Sequence, residues 1–393
     1  MSELRVGMVG YGFMGKAHSQ AWRNAPRFFD LPLRPELTAL CGRDSAAVAS
    51  AAETYGFAGW ETDWRRLIAR DDIDVVDICT PGDTHAEIAI AALEAGKHVL
   101  CEKPLANTVE QGREMVAAAE RAKERGRFAM VGFNYRRVPA LALARQMIAD
   151  GRLGTLYQVR AQYLQDWIVD PEFPLVWRLQ AEKAGSGALG DLGAHSIDLA
   201  QHLTGQRISG VSALLETLIP ERPLPGAYSG LSAAAGAGRG SVTVDDAALF
   251  TARFEGGAIG VFEATRFATG HKNAMRIEVS GSLGSLSFDF EAMNELSYYD
   301  ATLDPEVAGF RRILVTEPGH PYLAAWWPPG HVIGYEHTFT HEIKDFVEAV
   351  ASGVPPEPSF AAGLQTQLVL AAVSESAINN SVFTSVSGRQ ASS

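Results

Sequence analysis

Along the first third of the chain, apolar residues come in short unbroken runs, at residues 6–9, 37–41, 75–79, 98–101 and 127–133. Between them, at 45–54, 64–69, 85–94 and 109–125, apolar positions recur at helical spacing. Runs that are apolar on both faces predict strands buried on both sides, and so a parallel sheet sandwiched between helices. The regular alternation predicts an α/β Rossmann domain, doubly wound around a parallel sheet, over residues 1–133.

Beyond about residue 155 the pattern changes. Residues 157–164, 211–219, 247–254, 258–265, 275–279 and 285–290 predict strands, with hairpin turns at Glu255-Gly256-Gly257 and at 281–284. This predicts a second, α+β domain over 134–393, built on a large, mostly antiparallel open sheet whose uncovered face suits oligomerisation. One strong helical pattern at 188–203 interrupts the strands. Residues 220–240, rich in Gly, Ala, Ser and Pro, are expected to form a mobile loop or an insertion. Helical patterns return at 338–351 and 363–378 and can pack back on the first domain.

Composition narrows the class. At roughly 150 residues per domain, 393 residues suit two domains, and an apolar share of 47% supplies both cores, which excludes a disordered chain. A net charge of −12 argues against nucleic acid and anionic membrane as partners. No run reaches the ~18 apolar residues of a membrane span. No charged-then-apolar leader is visible, so a cytoplasmic protein is expected. Cys41, Cys79 and Cys101 form no C-x-x-C and are expected to be reduced, buried thiols.

The first chemical signal is Gly10-Tyr11-Gly12-Phe13-Met14-Gly15, a G-x-G-x-x-G between the first strand and a helix. Gly10 permits a tight turn, Gly12 lets backbone approach a pyrophosphate, and Gly15 lets helix and strand pack closely. The pyrophosphate would rest on the helix N-terminus; a tight turn without ligand is the structural alternative. The second strand ends at Gly42-Arg43-Asp44. Gly42 stands where an NAD-type site carries an acidic residue, and the neighbouring Arg43 favours NADP. Asp44 is expected to cap the next helix; a one-residue shift in alignment would make it a ribose ligand and favour NAD.

Asp191 and His195 are four residues apart, so on a helix they share a face. Oxidation of an alcohol needs a base for the hydroxyl proton, and histidine titrates in the right range. A carboxylate one turn away can orient the ring. A lysine ammonium can stabilise a developing alkoxide. Taken singly, the Asp–His pair reads as a surface pair or cap. Glu102-Lys103-Pro104, Thr80-Pro81 with His85, the run 187–195 (GALGDLGAH) and the glycine motif occur together in order, and together they resemble the Gfo/Idh/MocA oxidoreductase family. The resemblance covers nearly the whole chain. It implies a nicotinamide-dependent sugar or cyclitol dehydrogenase with Lys103, Asp191 and His195 as catalytic residues. It also implies that Phe13, Met14, Thr80, Pro81, His85, Glu102 and Lys103 line the cofactor, and that the protein is a homodimer or homotetramer. Within the family, Asp166-Trp167, Ser186–Asp191, Val244–Asp246 and Glu263–Arg266 look most like the levoglucosan dehydrogenase group, whose members use NAD; Gly42-Arg43 departs from that pattern.

A polyhydroxylated ring needs amide or guanidinium hydrogen bonds and an aromatic platform. Tyr135, Arg136, Gln165, Trp167 and Arg178 supply those types, with core packing or ion pairing as the alternative for each. His331 lies in the unusual loop 322–335 (YLAAWWPPGHVIGY), which could close over a pocket or pack against a second subunit. His337 and His341 are spaced four apart, but without further ligands they read as a solvated or interface helix face, and no metal is expected. Two rival functions remain: a redox-neutral glycosidase or lyase that oxidises, eliminates and re-reduces, and a non-enzymatic nucleotide-sensing regulator.

Overall fold

The structure, a computed structural model, describes residues 2–229 and 232–386. Two compact units emerge: Met1–Arg137 with Gly334–Leu364, and Val138–Ile333 with Gln365–Ser393.

The first unit opens with β1 (Ser2–Val9), α1 (Phe13–Phe28), β2 (Leu33–Cys41), α2 (Ser45–Tyr55), β3 (Gly59–Glu61), α3 (Trp64–Ile68), β4 (Val75–Ile78), α4 (His85–Glu94), β5 (His98–Glu102), α5 (Val109–Lys123) and β6 (Ala129–Gly132). The six strands are ordered β3-β2-β1-β4-β5-β6, and each pairing is parallel. That order switches direction between β1 and β4, the place where such sheets take ligands at their strand ends. β4 and β5 are buried along their whole length, as their unbroken apolar runs require. Local signals set the helix ends: Asp44 caps α2, Gly56 closes it in the left-handed region, and Thr108 with Gln111 forms a capping box on α5.

The second unit follows with α6 (Pro139–Ala149), β7 (Leu156–Leu164), α7 (Ala181–Ala184), α8 (Ala194–Thr204), β8 (Ile208–Glu216), β9 (Glu221–Ser229), β10 (Ser232–Ser241), β11 (Ala247–Phe254), β12 (Ile259–Thr265), β13 (Ala274–Gly281), β14 (Gly284–Asp289), β15 (Glu295–Asp300) and β16 (Arg311–Leu314). The chain then returns to the first unit as α9 (Tyr335–Ser352). α10 (Phe360–Ile378) and the short β17 (Thr384–Ser385) end the described residues. Nine strands form one sheet, β16-β15-β14-β13-β7-β12-β11-β8-β17. Only β7 and β12 pair in parallel, so the sheet is mostly antiparallel. Strict alternation along β11 buries Ala248, Phe250, Ala252 and Phe254 on one face. The other face leaves Leu214, Leu249, Ile259 and Val261 exposed.

Two expectations change. Residues 220–240 are not a structureless loop: β9 and β10 pair as an antiparallel hairpin, with 230–231 outside the described residues. Arg222, wholly buried, anchors it by donating to the carbonyls of Ile168, Asp170 and Phe173. Gly- and Ala-rich composition suggested a loop, but backbone pairing needs no large side chains. The second change concerns α9, whose His341 is fully buried with Nδ1 2.9 Å from the Arg137 carbonyl oxygen, not on a solvated face. Phe339, Ile343, Phe346 and Val347 bury the same helix in the first unit's core with Trp22 of α1. Among the described residues, no helix is long and apolar enough to cross a membrane. All three cysteines are free thiols.

Candidate active site

In the first unit three neighbouring strand ends converge on one edge of the sheet: the glycine turn after β1, Thr80-Pro81 after β4, and Glu102-Lys103 at the end of β5. Gly10 has φ +102°, a conformation that favours glycine. A Cβ on Gly15 would lie 2.1 Å from the Gly10 carbonyl oxygen, so helix and strand approach closely only without one. Gly12 differs from both. A Cβ there would meet nothing within 4 Å, and φ is −70°. The protein itself therefore does not require glycine at 12, and open space lies over the N-terminus of α1. That helix has no side-chain cap and no acidic residue in its first turn, so its N–H groups suit a pyrophosphate. On these grounds the residues present fit a dinucleotide.

Several expected contacts are otherwise engaged. A Cβ on Gly42 would sit 2.0 Å from the Tyr11 ring, so an aromatic fills the space of an acidic side chain, and packing accounts for the glycine. Asp44 Oδ1 accepts from Ala47 N at 2.8 Å, which makes Asp44 the helix cap. Arg43 is exposed beside it. Met14 packs against the core while Phe13 is exposed. The His85 ring is buried, with Nδ1 3.0 Å from the Pro104 carbonyl oxygen and Nε2 2.9 Å from that of Thr80. It clasps the loops after β4 and β5 together instead of facing a ligand. Glu102 also turns inward, towards His18. Lys103 follows it, half-buried, and its bond to Pro104 is cis. Tyr135 is buried and Arg136 half-buried in the turn after β6.

The second unit gathers Asp191, His195, Gln165, Trp167 and Arg178. The expected continuous helix is in fact two pieces, a π-helical segment Leu189–Gly193 and then α8. The wider turn changes the four-residue spacing argument, and π segments often mark functional sites. Asp245 holds the start of this segment: its carboxylate accepts from Gly187 N and Leu189 N, both at 2.7 Å. Asp191 accepts from the Arg266 guanidinium at 2.9 Å. Arg266 is buried and its guanidinium stands over the Trp167 ring at 5.2 Å. Arg178 lies over the Trp177 ring at 4.3 Å, and burial pulls its pKa down against the Asp191 charge. His195 is buried with its ring 6.0 Å from that of Tyr163. A polar chain continues from there: Tyr163 Oη and Gln165 Nε2 both donate to Asn273 Oδ1, and Trp167 Nε1 donates to Gln165 Oε1.

Sequence reasoning missed Arg266, Asp245 and Asn273 as site residues. The first two stood inside the motifs Glu263–Arg266 and Val244–Asp246; spacing alone does not reveal that they brace Asp191. His331 is exposed, and its ring turns back to the carbonyl oxygen of Pro328 in its own loop.

Residues 4–133 match the oxidoreductase family with an NAD-binding Rossmann fold, and residues 141–287 match the GFO/IDH/MocA C-terminal domain. The chain is 46% identical over 389 residues to a levoglucosan dehydrogenase of Pseudarthrobacter phenanthrenivorans, covering 97% of this chain and 98% of that protein. Among solved structures, an oxidoreductase domain protein from Kribbella flavida superimposes with a TM-score of 0.94 at 64% identity, covering 98% of this chain and 100% of the other. A levoglucosan dehydrogenase in complex with NADH and levoglucosan gives 0.91 at 44% identity, with the same coverage.

Proposed function

This chain belongs to the Gfo/Idh/MocA oxidoreductase family, and from that premise we propose that it is a nicotinamide-dependent dehydrogenase acting on a cyclic sugar, anhydrosugar or cyclitol. It interconverts a secondary ring hydroxyl and a ketone. The observation that carries this reading is the position of Lys103, at the end of β5 and on the same sheet edge as the open glycine turn. The likeness to a levoglucosan dehydrogenase over nearly the whole chain supports an anhydrosugar as first choice.

A nicotinamide dinucleotide, when bound, supplies the hydride acceptor. In the proposed roles, His195 and Lys103 serve one proton transfer from the substrate hydroxyl, and the Lys103 ammonium stabilises the developing alkoxide. Asp191, tied to Arg266, is a fixed carboxylate that orients the imidazole. Trp167 and Arg178 are proposed to meet the ring and its hydroxyls, with Gln165 locking Trp167 in place. NAD(H) is the proposed coenzyme. The Tyr11 ring accounts for Gly42 without a 2′-phosphate, a relative is solved with NADH, and Arg43 is the exposed cation through which NADP(H) would be accepted.

The test is a panel of anhydrosugars, hexoses and inositols with both coenzymes, followed by the absorbance of reduced nicotinamide. The wild type should accumulate reduced coenzyme, whereas a redox-neutral lyase would convert sugar without it. Lys103→Ala and His195→Ala should each lose about a hundredfold or more in kcat, with coenzyme affinity within a few-fold. Near-normal turnover in both variants would remove the assignment.

A further inference from the structure

Behind the turn that presents Lys103, the first unit buries a charged assembly that the proposed chemistry leaves unused. His18, on α1, is fully buried. Its Nδ1 lies 3.0 Å from Asp77 Oδ2, and its Nε2 lies 2.9 Å from Glu102 Oε1. Trp22 Nε1 donates to the same Asp77 carboxylate at 2.7 Å. The other oxygen of Glu102, Oε2, accepts from the Lys103 backbone N–H at 3.0 Å. Gly132 on β6 leaves room for this carboxylate, since a Cβ there would come within 3.3 Å of Glu102 Oε1. Phe339 of α9 packs its ring against the imidazole, centroids 5.4 Å apart.

Ionised carboxylates only accept hydrogen bonds. A ring that satisfies one on each nitrogen therefore carries two protons. Burial alone would pull the His18 pKa down, but the charge of Asp77, together with Cys79 and the hydrogen bonds to both, outweighs it, and the pKa lies well above the ordinary value. Cys79, Cys101 and Glu342 are further titratable groups interacting with the ring, and Arg137 is the cation beside Glu342. His18, Asp77 and Cys79 lie close enough together to suggest a metal site, but the ring nitrogens already face carboxylate oxygens, and this favours the protonated bridge.

We propose that His18 is a positioning residue for Lys103: an imidazolium bridge from Asp77 to Glu102 holds the Glu102 carboxylate on the Lys103 amide and so fixes the backbone from which the ammonium is aimed. The bridge uses three elements, α1, β4 and β5, of which α1 also carries the glycine turn. One buried residue thus couples the nucleotide-binding helix to the loop bearing the lysine. The bridge links charge-assisted hydrogen bonds, which are shorter and stronger than neutral ones, and His18, Asp77 and Glu102 are all buried from bulk solvent.

The proposal rests on Lys103 acting in catalysis, so its test has one arm without turnover. Competitive acetylation followed by mass spectrometry measures Lys103 reactivity in the wild type, His18→Gln and Glu102→Gln. Loss of the bridge should speed labelling at least about threefold. In the second arm, with NAD and an anhydrosugar, each variant should lose about ten- to a hundredfold in kcat, the scale of a misplaced catalytic group. KM and NADH affinity should move less than about threefold. In a Lys103→Ala background the same substitutions should cost almost nothing further. Unchanged labelling in both variants overturns the bridge. Altered labelling with undiminished kcat, or full additivity with Lys103→Ala, overturns its role in positioning. Should His18→Gln fail to fold, the isosteric Glu102→Gln decides both arms. Should the wild type oxidise no sugar or cyclitol, the proposed function fails, and the labelling arm still decides the bridge.

Discussion

Glu342 of α9 is fully buried, and neither carboxyl oxygen has a hydrogen-bond partner among the described residues. Burial, with Glu102 and Asp77 nearby and against Arg137 and His18, pushes its pKa up to about 8. The folded chain then keeps a proton that the unfolded chain releases above its ordinary value of 4.5. Stability therefore falls as pH rises from that value to about 8, and stays lower above it. His18 acts in the same direction: its raised pKa gives stability that is complete below the ordinary histidine value and disappears as pH rises through the folded one. His341 and His98 act on the acid side. Burial lowers them to about 3 and about 4, so the unfolded chain takes up protons first and stability falls as pH drops below the histidine range. Glu342→Gln should remove the alkaline slope that Glu342 contributes. Its melting temperature should match the wild type to within about a degree near pH 5 and exceed it by several degrees near pH 8.5, the scale of roughly 4 kcal/mol. A constant difference across that range would contradict a protonated Glu342.

At the scale of elements, the turn between β1 and α1 separates two uses of glycine. Gly15→Ala drives a methyl into the Gly10 carbonyl and should lower both melting temperature and coenzyme affinity. Gly12→Ala adds a methyl to open space and should leave the apo melting temperature within about a degree, while weakening NADH binding at least about tenfold, because a pyrophosphate would need that space. Titration of NADH fluorescence and a thermal melt decide it; equal damage to stability from both would mean that the space at Gly12 is not kept for a ligand. The parallel sheet was legible in the sequence because β4 and β5 are buried on both faces, and a strand buried that way must read as an unbroken apolar run. The β9–β10 hairpin was not legible, because its exposed small residues have no period. Lys103, Asp191 and His195, the residues proposed for catalysis, stand in motifs that the sequence shows. Their supports are not legible in this way: Arg266, Asp245 and His18 act on residues 75, 58 and 84 positions away, and such pairings leave no trace in local spacing. Asp44 and His85 show the converse: chemistry-bearing types at suggestive positions, one used as a helix cap and the other as a loop clasp.

For the whole molecule, the nine-stranded sheet leaves a face on which Leu214, Leu249, Ile259 and Val261 are exposed, flanked by Arg160, Arg276, Glu263 and Glu278. Apolar surface rimmed by paired charges marks an association site, and we propose that a second copy of this chain covers it. Val261→Asp should shift the mass measured by light scattering from oligomer to monomer; an unshifted mass, or a monomeric wild type, would assign that face otherwise. The most direct test of the chemistry compares Lys103→Ala, His195→Ala and the double variant in single-turnover reduction of NAD by an anhydrosugar. If the two side chains serve one proton transfer, the double variant should be about as slow as the slower single variant. Losses that multiply would show two independent contributions and contradict the shared step.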